Sequence, residues 1–230
     1  MFGRRELAKL VFATAVGAIG ARTPAQAREA AEADPASDLR RTRRLNPDDC
    51  CGLIVDVQDY FLSQLDGYRR SKVLWNTKDF ARLLGLFRIP VIATLEKPVE
   101  KNGALPQEIQ EELNELSRTF EKTYFDLSRE QPISEFIAGL GRKQIIIAGC
   151  ETDVCVLQSC LGLLNQGYEV YMVENLLFTA SPDVTAAIAR MKAEGAILVS
   201  YKSLFYELTA TVENEKILEM SGPVSKDLSR

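Results

Sequence analysis

The sequence predicts an α/β protein: a doubly wound, three-layer α/β/α domain on a mainly parallel sheet of about six strands. Three observations predict it. From Cys51 onward, short apolar runs alternate with longer segments of helical periodicity. Pro and Gly mark the changes from one kind of segment to the next, as at Pro90 and Gly141. The helical segments are long enough to cross from one parallel strand to the next.

The elements follow in order. CGLIVDV, beginning at Cys51, is a buried strand that carries a carboxylate, Asp56, at its end. SKVLWNTKDFARLLGLFR places Val73, Leu74, Phe80, Leu83, Leu84 and Phe87 at helical spacing. PVIATLE is a second strand, and KPVEKNGALPQ a polar loop with Pro and Gly breakers. QEIQEELNEL reads as an acidic, exposed helix, and TFEKTYFDL as a strand edge with a turn. ISEFIAGLGRK is a helix closed by Gly141. QIIIAGC is a strand, VCVLQSCLGLLNQG a helix, YEVYMVE a strand, PDVTAAIARMKAEG a helix and AILVS a strand. LFYELTATVENEKILEM supplies one or two final helices. Ligands in such folds sit beyond the carboxyl ends of the strands, which directs attention to Asp56, Glu96 and the turn at Gly149.

The N-terminus differs in kind. Residues 1–27 contain Arg4 and Arg5, a moderately apolar stretch and a small-residue end, Ala25-Gln26-Ala27, the order of an export signal. The paired arginines resemble a twin-arginine signal, which predicts an exported, periplasmic protein beginning at Arg28. The alternative is an amphipathic extension on a cytoplasmic protein. Residues 28–49 are polar and charge-blocked and read as a mobile lead-in, leaving 50–230 as the folded domain. No apolar run reaches the roughly 18 residues of a membrane span. The net charge of -4 argues against a nucleic-acid partner.

Chemistry must come from a chain of 230 residues with no histidine. The five cysteines have no disulfide-framework or zinc spacing, so neither metal nor cofactor is expected. Cys50 and Cys51 are adjacent, and a bond between them would be strained. In GCETDVCV, Cys155 lies between a strand and a helix, where the helix dipole favours thiolate. Alone, Cys155 could be a packing residue, Asp56 a loop ion pair and Lys122 a snorkelling lysine. Together, near strand ends, they make a thiol, a proton acceptor and a cation to hold the thiolate.

Three stretches carry a resemblance. IVDVQDYF, FEKTYFD and GCETDVCV are similar, in order and rough spacing, to the motifs of the isochorismatase-like cysteine hydrolases, the superfamily of nicotinamidase and N-carbamoylsarcosine amidohydrolase. The resemblance covers about Cys51 to Ser203. It implies a Rossmann-like fold, a triad of Asp56, Lys122 and Cys155, and a thioester intermediate with a small amide, imide or carbamoyl substrate. It also implies a cis peptide at Cys150–Glu151 that brings the Glu151 and Cys155 N–H groups together as an oxyanion hole, and a homo-oligomer. Lys97 lies nearer Asp56 in sequence, but its surroundings do not match the lysine motif. Gln58, Tyr60, Phe61, Glu96, Tyr124 and Phe125 are pocket candidates, with ordinary packing as the alternative. Nicotinamidases hold a metal with an aspartate and histidines, which this chain cannot do. True isochorismatases cleave a vinyl ether and lack the cysteine. A silent thiol redox or binding protein, or a hydrolase of a non-amide bond, remain the alternatives.

Overall fold

The computed structural model describes residues 43–211, 213 and 214. The expected signal, most of the lead-in and the chain from 215 onward lie outside the described residues. Six parallel strands form one sheet in the order β3-β2-β1-β4-β5-β6. They are β1 Cys50–Val55, β2 Val91–Glu96, β3 Arg118–Lys122, β4 Gln144–Gly149, β5 Glu169–Leu177 and β6 Ile197–Val199. The helices are α1 Asp59–Ser63, α2 Gly67–Leu86, α3 Val99–Asn102, α4 Gln107–Gln110, α5 Gln131–Gly139, α6 Leu157–Asn165, α7 Thr185–Ala193 and α8 Tyr201–Thr209.

Successive side chains of a strand point to opposite faces, and the core divides accordingly. Cys50 and Ile54 of β1, Ile146 of β4 and Tyr171 of β5 pack with Phe80 and Leu84 of α2 and Leu204 of α8. Cys51, Leu53 and Val55, with Ile145, Ile147 and Met172, pack on the other face with Ile137 of α5, Leu163 of α6 and Met191 of α7. Strands β1 and β4 are buried along their whole length, which is why they read as unbroken apolar runs. Asp66 caps α2 by accepting from Arg69 N at 3.0 Å, and Ser200 caps α8 by accepting from Ser203 N at 3.0 Å. Gly141, at φ 65°, follows the end of α5 as expected.

Several boundaries differ from the sequence reading: the polar loop after β2 holds the short helix α3, and β5 runs on to Leu177. QEIQEELNEL is helical only over Gln107–Gln110. Asn114 ends it: its Oδ1 accepts from Leu116 N at 3.0 Å, while its Nδ2 donates to Ile89 O at 2.9 Å, turning the chain into β3. Leu45 to Asp49, placed in the lead-in by the sequence, are packed on the domain. Leu45 is buried and its N–H donates to Glu207 Oε1 at 2.7 Å. Asn46 accepts at its side chain from Asp48 N and caps a short 3-10 turn over Pro47–Asp49.

The strand order sets the position of the site. The chain winds outward from β1 through β2 to β3, then returns to β4 on the other side of β1. The loops leaving β1 and β4 therefore diverge, and a crevice opens at their carboxyl ends.

Candidate active site

Four neighbouring strands each deliver one functional group to that crevice. Lys122 is the last residue of β3 and Glu96 the last of β2, and the two are paired in register. Asp56 follows β1 directly, and the turn after β4 carries Cys155.

Asp56 sits at φ 50°, in the left-handed region that a non-glycine residue rarely enters. This kink is held by its own N–H, which donates to Thr94 O at 3.1 Å. The Asp56 carboxylate is fully buried. Its Oδ1 accepts from Thr94 Oγ1 at 2.8 Å, and its Oδ2 lies 2.7 Å from Lys122 Nζ. Burial of an unpaired carboxylate would be costly, and the ammonium offsets that cost. Burial still dominates and holds the Asp56 carboxyl above its ordinary pKa, with Lys122 pulling the other way.

Lys122 Nζ also donates to Cys155 Sγ at 3.3 Å and lies 3.6 Å from Glu96 Oε2. Burial disfavours its charge, but Asp56 and Cys155 outweigh burial and hold the ammonium above its usual range. The thiol of Cys155 donates to Glu96 Oε2 at 3.1 Å. Its pKa is raised, first by burial and then by the Asp56 charge, against the pull of Lys122. Both work against the thiolate that a helix start would favour. Cys155 lies inside a π-helical turn, Thr152–Val156, ahead of α6, where burial first and the Asp56 charge second work against the local dipole. Cys155 thus stands beside a lysine ammonium and two carboxyl groups, in surroundings that favour its protonated form.

The turn that carries Cys155 is tightly held. Gly149 has φ 117°, and a Cβ there would stand 2.1 Å from Val55 O, so only glycine fits this approach of β4 to β1. The Cys150–Glu151 peptide is cis, as the resemblance implies. Cys150 Sγ donates to Asp56 O at 2.9 Å, joining the turn to the β1 exit. Val154 N and Val156 N both donate to Glu151 O at 3.1 Å. Asp153 accepts from Thr179 Oγ1 at 2.9 Å and Ser181 Oγ at 2.7 Å, which pins the turn to the segment after β5.

The remaining candidates separate. Glu96 touches both the Cys155 thiol and the Lys122 ammonium, a closer position than lining. Gln58 is buried and bonded to the backbone beside the crevice, its Oε1 accepting from Glu96 N at 2.7 Å and its Nε2 donating to Gly103 O at 2.7 Å. Phe61 belongs to the core, packed with the β1 face. Tyr60, Tyr124 and Phe125 are exposed, and the Arg129 guanidinium lies 4.5 Å from the Tyr124 ring centre. Lys97 pairs with Glu121 at 3.5 Å and is half exposed, away from the thiol. All five cysteines are free and buried. The sequence showed Glu96 only as a carboxylate at a strand end; the lone signal of its contact with sulfur was that position.

The oxygen and sulfur donors of Asp56, Glu96 and Cys155 lie within 4.8 Å of one another, a spacing that could hold a metal ion. The Lys122 ammonium stands among them, within 3.6 Å of each. A divalent ion at these donors would have to displace the charge that the fold already supplies, so the residues do not fit a resident metal.

Comparison with known proteins places the geometry. Residues 50–203 match the model of the isochorismatase domain. The secreted isochorismatase effector Isc1 of Phytophthora sojae is 26% identical over 196 residues, which cover 84% of this chain and 92% of that one. YcaC from Pseudomonas aeruginosa, solved with hexane-2,5-diol and covalent acrylamide, superposes with a TM-score of 0.68 at 30% identity, covering 76% of this chain and 87% of that one. The YcaC gene product of Escherichia coli, described as an octameric hydrolase of unknown specificity, superposes with a TM-score of 0.73 at 24% identity, covering 79% of this chain and 90% of that one. With the family's domain matched across two thirds of its length and the fold shared by these neighbours, the chain belongs to the isochorismatase family of hydrolases.

Proposed function

We propose that the protein is a metal-independent amidohydrolase that cleaves the C–N bond of a small amide, imide or carbamoyl compound through a thioester on Cys155. The observation that carries this reading is the buried Lys122 ammonium, in contact with both the Cys155 sulfur and the Asp56 carboxylate. A packing cysteine has no need of a buried ion pair beside it.

The cycle balances on these groups. The Cys155 proton passes to Asp56, whose raised pKa makes the buried carboxyl a competent acceptor at neutral pH. Sulfur attacks the carbonyl carbon, and the negative charge moves onto the carbonyl oxygen. The Glu151 and Cys155 N–H groups are the proposed oxyanion donors. The C–N bond breaks, Asp56 returns the proton to the leaving nitrogen, and a thioester remains. Water, deprotonated by Asp56, attacks the thioester; the acid leaves and the thiol is restored. Lys122 stabilises sulfur whenever it carries negative charge. That a YcaC relative was found with covalent acrylamide, itself a small primary amide, supports a reactive group in this fold.

A library of small primary amides, imides and carbamoyl compounds, screened by ammonia release, tests the reading. Turnover should disappear in Asp56→Asn with the circular dichroism spectrum unchanged. Iodoacetamide labelling of Cys155 in that variant should not slow, because the Asp56 charge that raises the thiol pKa is gone. Retained turnover in Asp56→Asn would remove Asp56 as the proton carrier.

Two further proposals come from the comparisons. Residues 1–27 act as an export signal, in keeping with the secreted relative; an N-terminus at Arg28 in protein from the native host is the expected finding, and an intact Met1 the contrary one. The protein assembles into a homo-oligomer, as the E. coli YcaC octamer does; light scattering should give a multiple of the chain mass.

A further inference from the structure

The site leaves one of its charges facing outward. The Asp56 and Lys122 side chains are 0% exposed, whereas Glu96 is 20% exposed. The Lys122 ammonium is drawn to Asp56, at 2.7 Å against 3.6 Å for Glu96. Two carboxyl groups therefore share one ammonium, and the less compensated of them is the one that meets solvent.

Glu96 is held in place as a surface acid is not. Gln58 and Asn102, both buried, clamp its main chain: Gln58 accepts from Glu96 N at 2.7 Å, while Gln58 Nε2 and Asn102 Nδ2 donate to Glu96 O at 3.2 and 3.1 Å. With the backbone pinned on both sides, the carboxylate is directed at the Cys155 sulfur, 3.1 Å away. Across the crevice, Glu151 feels Glu96: burial first, then the Asp153 and Glu96 charges, raise its pKa. Negative potential thus meets an incoming substrate from β2 and from the nucleophile turn alike.

We propose that Glu96 is the specificity-determining carboxylate of this site, accepting an N–H of a neutral or cationic amide and excluding substrates with a carboxylate beside the scissile carbonyl. The inference rests on Cys155 being the nucleophile. When the thiol proton leaves for Asp56, Glu96 Oε2 loses its donor at 3.1 Å and gains an acceptor position for the substrate's nitrogen. An ester has no N–H to offer there. An acid anion would stand within a few ångströms of Oε2, where the ammonium of Lys122 is already held by Asp56 at 2.7 Å.

The test needs no substrate. Iodoacetamide and iodoacetate differ in charge and label the same sulfur, so the ratio of their rates at Cys155 cancels the fraction of thiolate. Peptide mass spectrometry gives both rates. In the wild-type protein the iodoacetamide preference should exceed that of N-acetylcysteine by about tenfold or more. In Glu96→Gln it should fall at least about threefold. Added salt should move the wild-type ratio toward that of the free thiol, which checks the charge effect without a variant. A wild-type ratio equal to that of N-acetylcysteine, or one unchanged in folded Glu96→Gln, overturns the role of Glu96 and leaves the nucleophile standing. A Cys155 that reacts with neither reagent overturns the nucleophile, and this inference with it.

Discussion

The two ends of the sheet each bury a thiol inside a polar network, but the partners differ. At the amino end, the Cys50 thiol donates to a neutral amide, Gln144 Oε1, at 3.5 Å. Gln144 in turn donates to Arg44 O, Glu169 and Tyr171, and Arg142 is bonded to the carbonyls of Pro47 and Cys50. At the carboxyl end, the Cys155 thiol donates to a carboxylate and accepts from an ammonium that is itself paired with a second carboxylate. The first network fastens β1, β4 and β5 together. The second places a proton, an acceptor and a compensating charge within contact distance. Burial and a raised thiol pKa are common to both, with Cys50 pushed up to about 12, so neither property marks a nucleophile. The partner does.

The sharpest way to break this contrast is to remove each sulfur. Cys155→Ala should lower amide turnover by at least about 10³-fold, while Cys50→Ala keeps turnover within about twofold, since its network fastens strands and touches no reacting group. Comparable losses in the two variants, measured at matched folded fraction, would erase the distinction.

The next contrast is between two lysines at strand ends. Lys122→Met leaves a buried Asp56 without its cation and should lower unfolding free energy by about 3 kcal/mol or more at neutral pH. Lys97→Met removes a half-exposed pair and should cost about 0–1 kcal/mol. Urea denaturation of the two variants checks both values. Equal costs would mean that Asp56 is not held by its ion pair.

A more gradual effect, spread over several pH units, is in alkaline solution. Burial raises all five thiols above their ordinary value of 9.0, and Cys50, Cys51 and Cys160 are pushed up to about 12. Between those values the folded state keeps protons that the unfolded state has lost, so stability falls as pH rises. Each thiol contributes about 1.4 kcal/mol per pH unit across that window. Denaturation midpoints should therefore drop steeply above pH 9, and Cys160→Ala should make the drop shallower. A flat profile from pH 9 to 11 would contradict the depth of these burials.

What the sequence made legible follows from how local each signal is. Strands β1 and β4 could be read because both faces are covered, which leaves an unbroken apolar run in the chain itself. Asp56, Lys122 and Cys155 stood out because each sits at a strand end in a recognisable motif, and the strand order then brings them together. The upward push on the thiol was not legible, because it comes first from burial in the fold and then from the Asp56 charge, neither of which the local sequence around the helix start displays. Gln58 was recognisable by position, but the direction of its amide depends on where Glu96 and Gly103 come to rest. Asn114 shows a local competition that helical periodicity overlooks: one side-chain amide closes a turn within an otherwise acidic, helix-forming stretch. Leu45 looked like part of a charged leader because its cover, near Glu207, comes from the other end of the chain.

The proposed cycle turns on Cys155 becoming covalently acylated. The most direct measurement is acid quenching of the protein during turnover of an amide found in the screen, followed by peptide mass spectrometry. The predicted result is the acyl mass, the substrate less its leaving amine, placed by fragment ions on Cys155 and not on Cys50, Cys51, Cys150 or Cys160. Steady turnover with Cys155 unmodified, continuing in Cys155→Ala, would contradict it.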